Sequence, residues 1–182
     1  MNKLLGVLAR WFVAATLPCT TFAADTLAAE LEQRLASTGV ESVNEHLSAQ
    51  ANAATLSRLN RQTAACDLQA VSLTVRLARG SAPAQVAQAH EEALRGASGR
   101  CTRFVLALVS AAEVPRVCAS QPFWGAAQTA RELRRRMAEI DADRLLRGTE
   151  QGQACRAAYL YELKNTRVTL RVASPSPADS AR

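Results

Sequence analysis

The sequence predicts an all-α fold, a compact multi-helix bundle or an irregular helical array. Three observations carry that prediction. There are 37 alanines in 182 residues, and alanine is the best helix former and a poor strand former. Apolar residues recur three or four apart along most of the chain, which is the helical period. Val, Ile, Tyr and Thr, which fill strands, are not abundant. The length fits one domain with at most a small appendage. The composition excludes collagen, a long coiled coil, an acidic disordered chain and a multispanning membrane protein.

Residues 1–24 read as a secretory signal peptide. Lys3 gives a positive start, Leu4 to Leu17 is a short apolar stretch interrupted by Arg10, and Phe22-Ala23-Ala24 supplies small residues before Asp25. The apolar stretch is shorter than the roughly 20 residues a membrane span needs, so cleavage near Ala24 and export to the periplasm are expected, with no stable span afterwards. Cys19 follows Pro18, where lipoprotein signals carry a small residue, so lipidation is not expected. Removing the leader leaves 20 basic and 16 acidic residues, a mild net charge of +4. Arginine with almost no lysine, together with the alanine excess, is the compositional habit of a GC-rich bacterium.

The helical domain is expected over residues 25–172. Leu27, Leu31 and Leu35 form one stripe over 25–38, ended by Gly39. Ser42 with Glu45 reads as a capping box opening a helix with Val43 and Leu47 inward. Residues 51–63 predict a short helix with Leu56 and Leu59 inward, and 65–79 a firmer one carrying Leu68, Val71, Leu73, Val75 and Leu77. Arg79-Gly80, Arg95-Gly96 and Arg147-Gly148 read as helix stops with a left-handed glycine. Ser81 and Pro83 open the helix holding Val86, His90 and Leu94. Phe104 to Val109 is apolar on nearly every side, which predicts a central buried helix over 100–113, begun at Cys101 and stopped by Pro115. Pro122 is expected to open a helix reaching Leu146 with a bend near Asp141, lined by Ala126, Ala130, Leu133, Met137 and Ile140. Thr149 caps a last helix through Asn165. Val168, Leu170 and Val172 alternate with polar residues, as in an isolated strand or a trailing arm, and residues 173–182 read as a disordered tail.

Cys66, Cys101, Cys118 and Cys155 are an even set in a chain expected to be exported, which points to two disulfides. Of three connectivities, Cys66–Cys101 and Cys118–Cys155 are favoured because each ties neighbouring helices. No pair has zinc-site or Cys-x-x-Cys spacing.

The motifs of catalysis are missing. His90-Glu-Glu-Ala-Leu lacks the second His of a helical zinc-protease motif, and His46 lies on a helix expected to be exposed. There is no Gly-x-Ser-x-Gly elbow, and Gly96-Ala-Ser-Gly99 lacks the length and the Lys-Ser/Thr of a phosphate loop. The pairs Glu91-Glu92 and Asp141/Asp143 read as solvated surface acids. Arg131 to Arg136 reads as a self-paired exposed face, with Glu132 opposite Arg136 and Arg135 opposite Glu139. Cys118 to Trp124, with Tyr159 and Tyr161, reads as a small aromatic core over the second disulfide rather than an exposed patch. Catalytic, cofactor and metal residues are therefore expected to number none. No aromatic residues interleave the basic run to stack on bases, so no nucleic-acid partner is expected.

Gly39-Val-Glu-Ser-Val-Asn-Glu-His-Leu47, the helix ending Ala93-Leu94-Arg95, the Phe-Val-Leu-Ala-Leu stretch and Val117-Cys118 followed by Pro122-Phe123 resemble, in order, a group of small uncharacterised proteobacterial exported helical proteins. Their pattern has an "ALxxNPxxVL" helix, a "VC…PF" segment and a late helical cysteine. Gly99 to Arg103 stands where that pattern has Asn-Pro, so Cys66 and Cys101 are an added bridge relative to it. A lesser similarity, in helical make-up and four cysteines, is to Tai-type immunity proteins, whose C-terminal Phe-Pro-Cys is absent here. The expected function is that of a non-catalytic periplasmic protein, binding an unidentified protein partner or associated with the envelope. An immunity or inhibitor protein against an exported toxin is the alternative.

Overall fold

Leucines four residues apart make the first helix, and the same logic repeats down the chain. In the computed structural model, which describes residues 26–122 and 124–173, every regular element is helical. Residues 1–25, on which the expected signal peptide and Cys19 fall, Phe123 and residues 174–182, most of the expected tail, lie outside the described residues. Helix α1 (Thr26–Thr38) buries Leu27, Leu31 and Leu35. Gly39 turns the chain with φ 85°, in the left-handed region that a side chain disfavours, and α2 (Val40–Ser48) follows at once. The capping box at Ser42 and Glu45 does not form. Ser42 lies within α2, whose N-cap is Gly39 with no side-chain bond, because the turn comes earlier than the Ser signature suggested.

A 3-10 turn at Gln50–Asn52 leads into α3 (Ala53–Ala64), and Asp67 caps α4 (Leu68–Arg79) by accepting from the Ala70 N–H. Leu68, in the first turn of α4, is 53% exposed, whereas Val71, Leu73, Val75 and Leu77 are buried. Buried Asn44 donates from Nδ2 to the Leu77 and Ser81 carbonyls at 3.0 and 2.9 Å, satisfying the end of α4 from α2. Helix α5 (Ala84–Ser98) packs against α2, α3, α4, α6 and α7, and is the central helix of the molecule.

That role was expected of residues 100–113. Helix α6 spans only Thr102–Leu108. It ends where Arg79 takes the Leu108 carbonyl at 2.7 Å and Glu113 accepts from the Ser110 N–H at 2.7 Å. Pro115 does not stop a helix; it sits in the first turn of α7 (Val114–Val117), where its missing N–H costs nothing. Pro122 lies in a turn closed by the Trp124 N–H and the Gln121 carbonyl, and α8 (Ala126–Ala142) starts after it. The expected bend falls at Asp143, whose carboxylate caps α9 (Arg144–Gly148). Thr149 caps α10 (Glu150–Ala173) by accepting from the Gly152 N–H at 3.0 Å. The segment with Val168, Leu170 and Val172 is a continuation of α10, neither strand nor arm, and Ala173, expected to start the tail, is its last residue.

The three Arg-Gly stops divide. Gly80 ends α4 and Gly148 ends α9, but Gly80 has φ −87° and neither shows a left-handed angle. Gly96 runs through the middle of the last turns of α5. At Gly80 and Gly96 the reason is space, whereas nothing lies within 4 Å of a methyl placed at Gly148. A methyl at Gly80 would fall 2.1 Å from Val40 Cγ1, and one at Gly96 would fall 2.9 Å from Ala64 Cβ.

Two apolar cores result. One joins α1 to α5 around Leu31, Leu47, Leu59, Leu73 and Val86; the other joins α4 to α10 around Val75, Leu94, Val105, Leu133, Ile140 and Tyr159. Helices α4 and α5 give residues to both. Cys66–Cys101 and Cys118–Cys155 are disulfides, with S–S distances of 2.02 and 2.00 Å. The first ties the α3–α4 turn to the α5–α6 turn, and the second ties the end of α7 to α10.

Candidate functional site

Helix α3 has two working faces. Leu59 and Thr63 point inward, where Thr63 Oγ1 hydrogen-bonds Thr74 Oγ1 of α4 at 2.8 Å. Ala53, Leu56, Ser57, Asn60, Arg61 and Ala64 recur at helical spacing and form one wall of a groove of about 800 Å³. Gln85, Ala89, Glu92 and Ala93 of α5 form the other wall. Leu47 to Gln50 closes the end near the start of α3, and Gln121 stands at the opposite end, donating to the Glu92 carbonyl at 3.2 Å. The two walls run in the same direction, since Asn60 meets His90 and Ala64 meets Gly96 further along both helices. From Ala53 to Ala64 the wall is about 16 Å long at 1.5 Å per residue.

The lining is chemically mixed in a specific way. Its floor is alanine and leucine. Of its six uncharged polar side chains, two are serines, Ser48 and Ser57, and four are amides, Gln50, Asn60, Gln85 and Gln121. Arg61 and Glu92 are its two charged residues, one on each wall. Arg61 donates to Ser57 Oγ at 2.6 Å and Glu92 accepts from Gln88 at 2.8 Å, and among the described residues neither is paired with an opposite charge.

His90 lies behind this groove, fully buried, with Nδ1 3.2 Å from Asn60 Oδ1 and no partner on Nε2. Burial pushes its pKa down to about 4. His46 is half-buried and contacts Asn52. Among the described residues neither imidazole is hydrogen-bonded to a serine or a carboxylate, and no three His, Cys, Asp or Glu side chains converge as a metal site. No helix of the described residues is long and apolar enough to cross a membrane.

No family model, curated protein or solved structure matches this chain.

The acid pairs are structural. Asp143 caps α9 and accepts from Arg103 at 2.7 Å, Asp141 pairs with Arg156 at 2.7 Å, and Glu91 pairs with Arg95 at 3.5 Å. The basic run keeps one of its two expected pairs, Arg135 with Glu139, and loses the other. Arg135 bonds both Glu132 and Glu139. Arg136 does not pair with Glu132; it is 4% exposed and has no carboxylate partner among the described residues. Its Nη1 donates to the Arg95 carbonyl, Ser98 Oγ and Tyr159 Oη at 3.1, 3.4 and 3.4 Å. The guanidinium stands 5.1 Å from the Trp124 ring centre and 5.9 Å from that of Tyr159. The aromatic core beside the second disulfide is therefore built on a cation. Tyr159 is buried in it, Trp124 half-buried, and Tyr161, expected there too, is 70% exposed. Sequence periodicity held the clue to Arg136, which shares the helix face of Leu133 and Ile140.

Proposed function

We propose that this is an exported, non-catalytic binding protein of the periplasm, whose α3–α5 groove takes an extended segment of a partner polypeptide. The observation that carries the reading is the amide lining. Side-chain amides both donate and accept, as peptide groups do. An extended segment offers free backbone groups to Gln50, Asn60, Gln85 and Gln121, whereas a helix has already used its own. The groove length matches about five residues of extended chain at 3.3 Å each. One arginine against one glutamate is a poor match for a phosphate backbone or an anionic lipid surface, which draw on several cations. The small floor residues leave room for modest apolar side chains.

Two disulfides and the leader pattern support export, since such bonds persist in oxidising compartments. Cleavage after Ala24 starts the mature chain at Asp25.

The test is photo-crosslinking in the periplasm from a benzophenone residue placed at Ser57 or at Gln85, on opposite walls. Ala138, exposed on α8, is the control position. Adducts to one polypeptide from both groove positions, and not from Ala138, support the reading. Equal adducts from all three overturn it. A crosslinked partner that is itself an exported toxin narrows the function to immunity.

A further inference from the structure

The two disulfides are set in different surroundings. Cys118 and Cys155 are 1% and 0% exposed and belong to the second core. Cys66 and Cys101 are half-buried, and Cys101 packs only at the edge of that core. Their backbones differ as well. The Asp67 N–H bonds the Gln62 carbonyl and the Cys66 N–H bonds the Thr63 carbonyl, the pattern that ends a helix with a left-handed residue. That residue is ordinarily glycine. Here it is Cys66, at φ 69°, the one non-glycine with positive φ among the described residues. A side chain there is strained by its Cβ.

The bridge also has a place relative to the groove. Helix α3 ends at Ala64 and α5 at Ser98, so Cys66 and Cys101 lie just past the same end of both walls. The walls touch there, with Gly96 against Ala64. The disulfide clasps the two helices that line the groove.

We propose that Cys66–Cys101 is a thiol-exchange site for an exported dithiol, small or protein-borne, and that its opening loosens the α3–α5 groove while Cys118–Cys155 keeps the fold. In the exchange, one thiolate of the dithiol attacks Cys101 Sγ. The Cys66–Cys101 bond breaks, a mixed disulfide forms on Cys101, and Cys66 leaves as a thiolate that takes a proton. Departure of Cys66 releases its strained backbone. The second thiol of the reagent, as thiolate, then attacks its own bound sulfur. It closes the reagent's disulfide and frees Cys101, which takes the second proton. Two electrons pass from the dithiol to the protein. The exchange rests on exposure and backbone geometry alone, whereas its effect on partner binding rests on the proposed role of the groove.

The test uses the mature oxidised protein, titrated with dithiothreitol, alkylated without denaturant and mapped by peptide mass spectrometry. Cys66 and Cys101 are expected to label at a reductant concentration at least tenfold lower than Cys118 and Cys155, with helical circular dichroism unchanged. Simultaneous labelling of all four, or earlier labelling of Cys118 and Cys155, overturns the exchange site. Hydrogen exchange on the selectively reduced sample reads the second half of the proposal. Amides in the last turns of α3 and α5 are expected to exchange severalfold faster, with α8 and α10 unchanged; no difference in α3 and α5 overturns the coupling. Selective reduction without any crosslink from Ser57 or Gln85 in either redox state leaves the exchange site standing and removes the groove's binding role.

Discussion

Gly96 and Ala64 meet so closely that the α3–α5 contact has no room for one more carbon: a methyl on Gly96 would lie 2.9 Å from Ala64 Cβ and 3.3 Å from its Cα. Both obstructing atoms are fixed to the backbone, so the helices themselves must separate. Alanine gains about 1 kcal/mol over glycine in helix propensity, but overpacking costs about 1–3 kcal/mol. Gly96→Ala is therefore expected to lose about 1 kcal/mol net and to widen the groove at that end. Urea denaturation measures the loss, and a more stable variant would show that α3 and α5 are not in close contact there.

His90 gives the protein a stability that depends on pH. Its folded pKa, lowered by burial to about 4, lies below the unfolded value of 6.5. The unfolded chain therefore binds the proton first as pH falls. The contribution is complete above pH 6.5 and is lost progressively down to pH 4, with a ceiling of about 3 kcal/mol from the size of the shift. His90→Gln should flatten the denaturation midpoint between pH 6.5 and pH 4 relative to the parent. Parallel profiles for the two proteins would contradict the burial of this imidazole.

Glu113 acts at a lower pH. Its hydrogen bond to Arg79 is the main cause of a pKa held down to about 2 from 4.5, with the Ser110 N–H and hydroxyl adding to it. The stabilisation is present above pH 4.5 and disappears as pH falls toward 2. Glu113→Gln should lower stability at neutral pH and weaken the fall in stability below pH 4.5, as followed by acid titration of circular dichroism.

Arg136 is a buried cation whose surroundings are carbonyl, hydroxyl and aromatic faces. Its stem fills space between α5, α8 and α10, and loss of that volume in Arg136→Ala is expected to cost about 2–4 kcal/mol. Arg136→Met keeps the volume and removes the desolvated charge, so its cost should stay below about 1 kcal/mol. Trp124, the one tryptophan among the described residues, reports both through its fluorescence. Equal destabilisation by the two variants would assign the stability to the charge instead of the packing.

Removing the Cys118–Cys155 bridge by paired alanines should destabilise by about 4 kcal/mol, as expected for closure of a loop of this length. The measurement is the thermal midpoint of the double variant against the oxidised parent.

Much of the fold was legible in the sequence because apolar residues recur with the helix period. The leucine stripe of α1 and the inward faces of α3 and α4, Leu68 excepted, were readable that way; the Thr149 cap came from its residue type, and the disulfide pairs from an even cysteine count and neighbouring helices. What failed was decided by tertiary partners. Phe104 to Val109 is apolar all round, yet Arg79 and Glu113 end α6 early, from outside the segment. Gly96 looked like a stop because its role, space for Ala64, depends on a helix thirty residues away. Arg136 looked like surface because charge was weighed before its helix face. The groove had no signal of its own: its alanines and amides are ordinary on any helix, and only the packing of α3 beside α5 brings them together.

Export with oxidised cysteines is checked by the intact mass of the protein recovered from periplasm, taken without reductant. The expected mass is that of a chain beginning at Asp25, less four hydrogens for two disulfides. A full-length chain with all five of its cysteines reduced would contradict it.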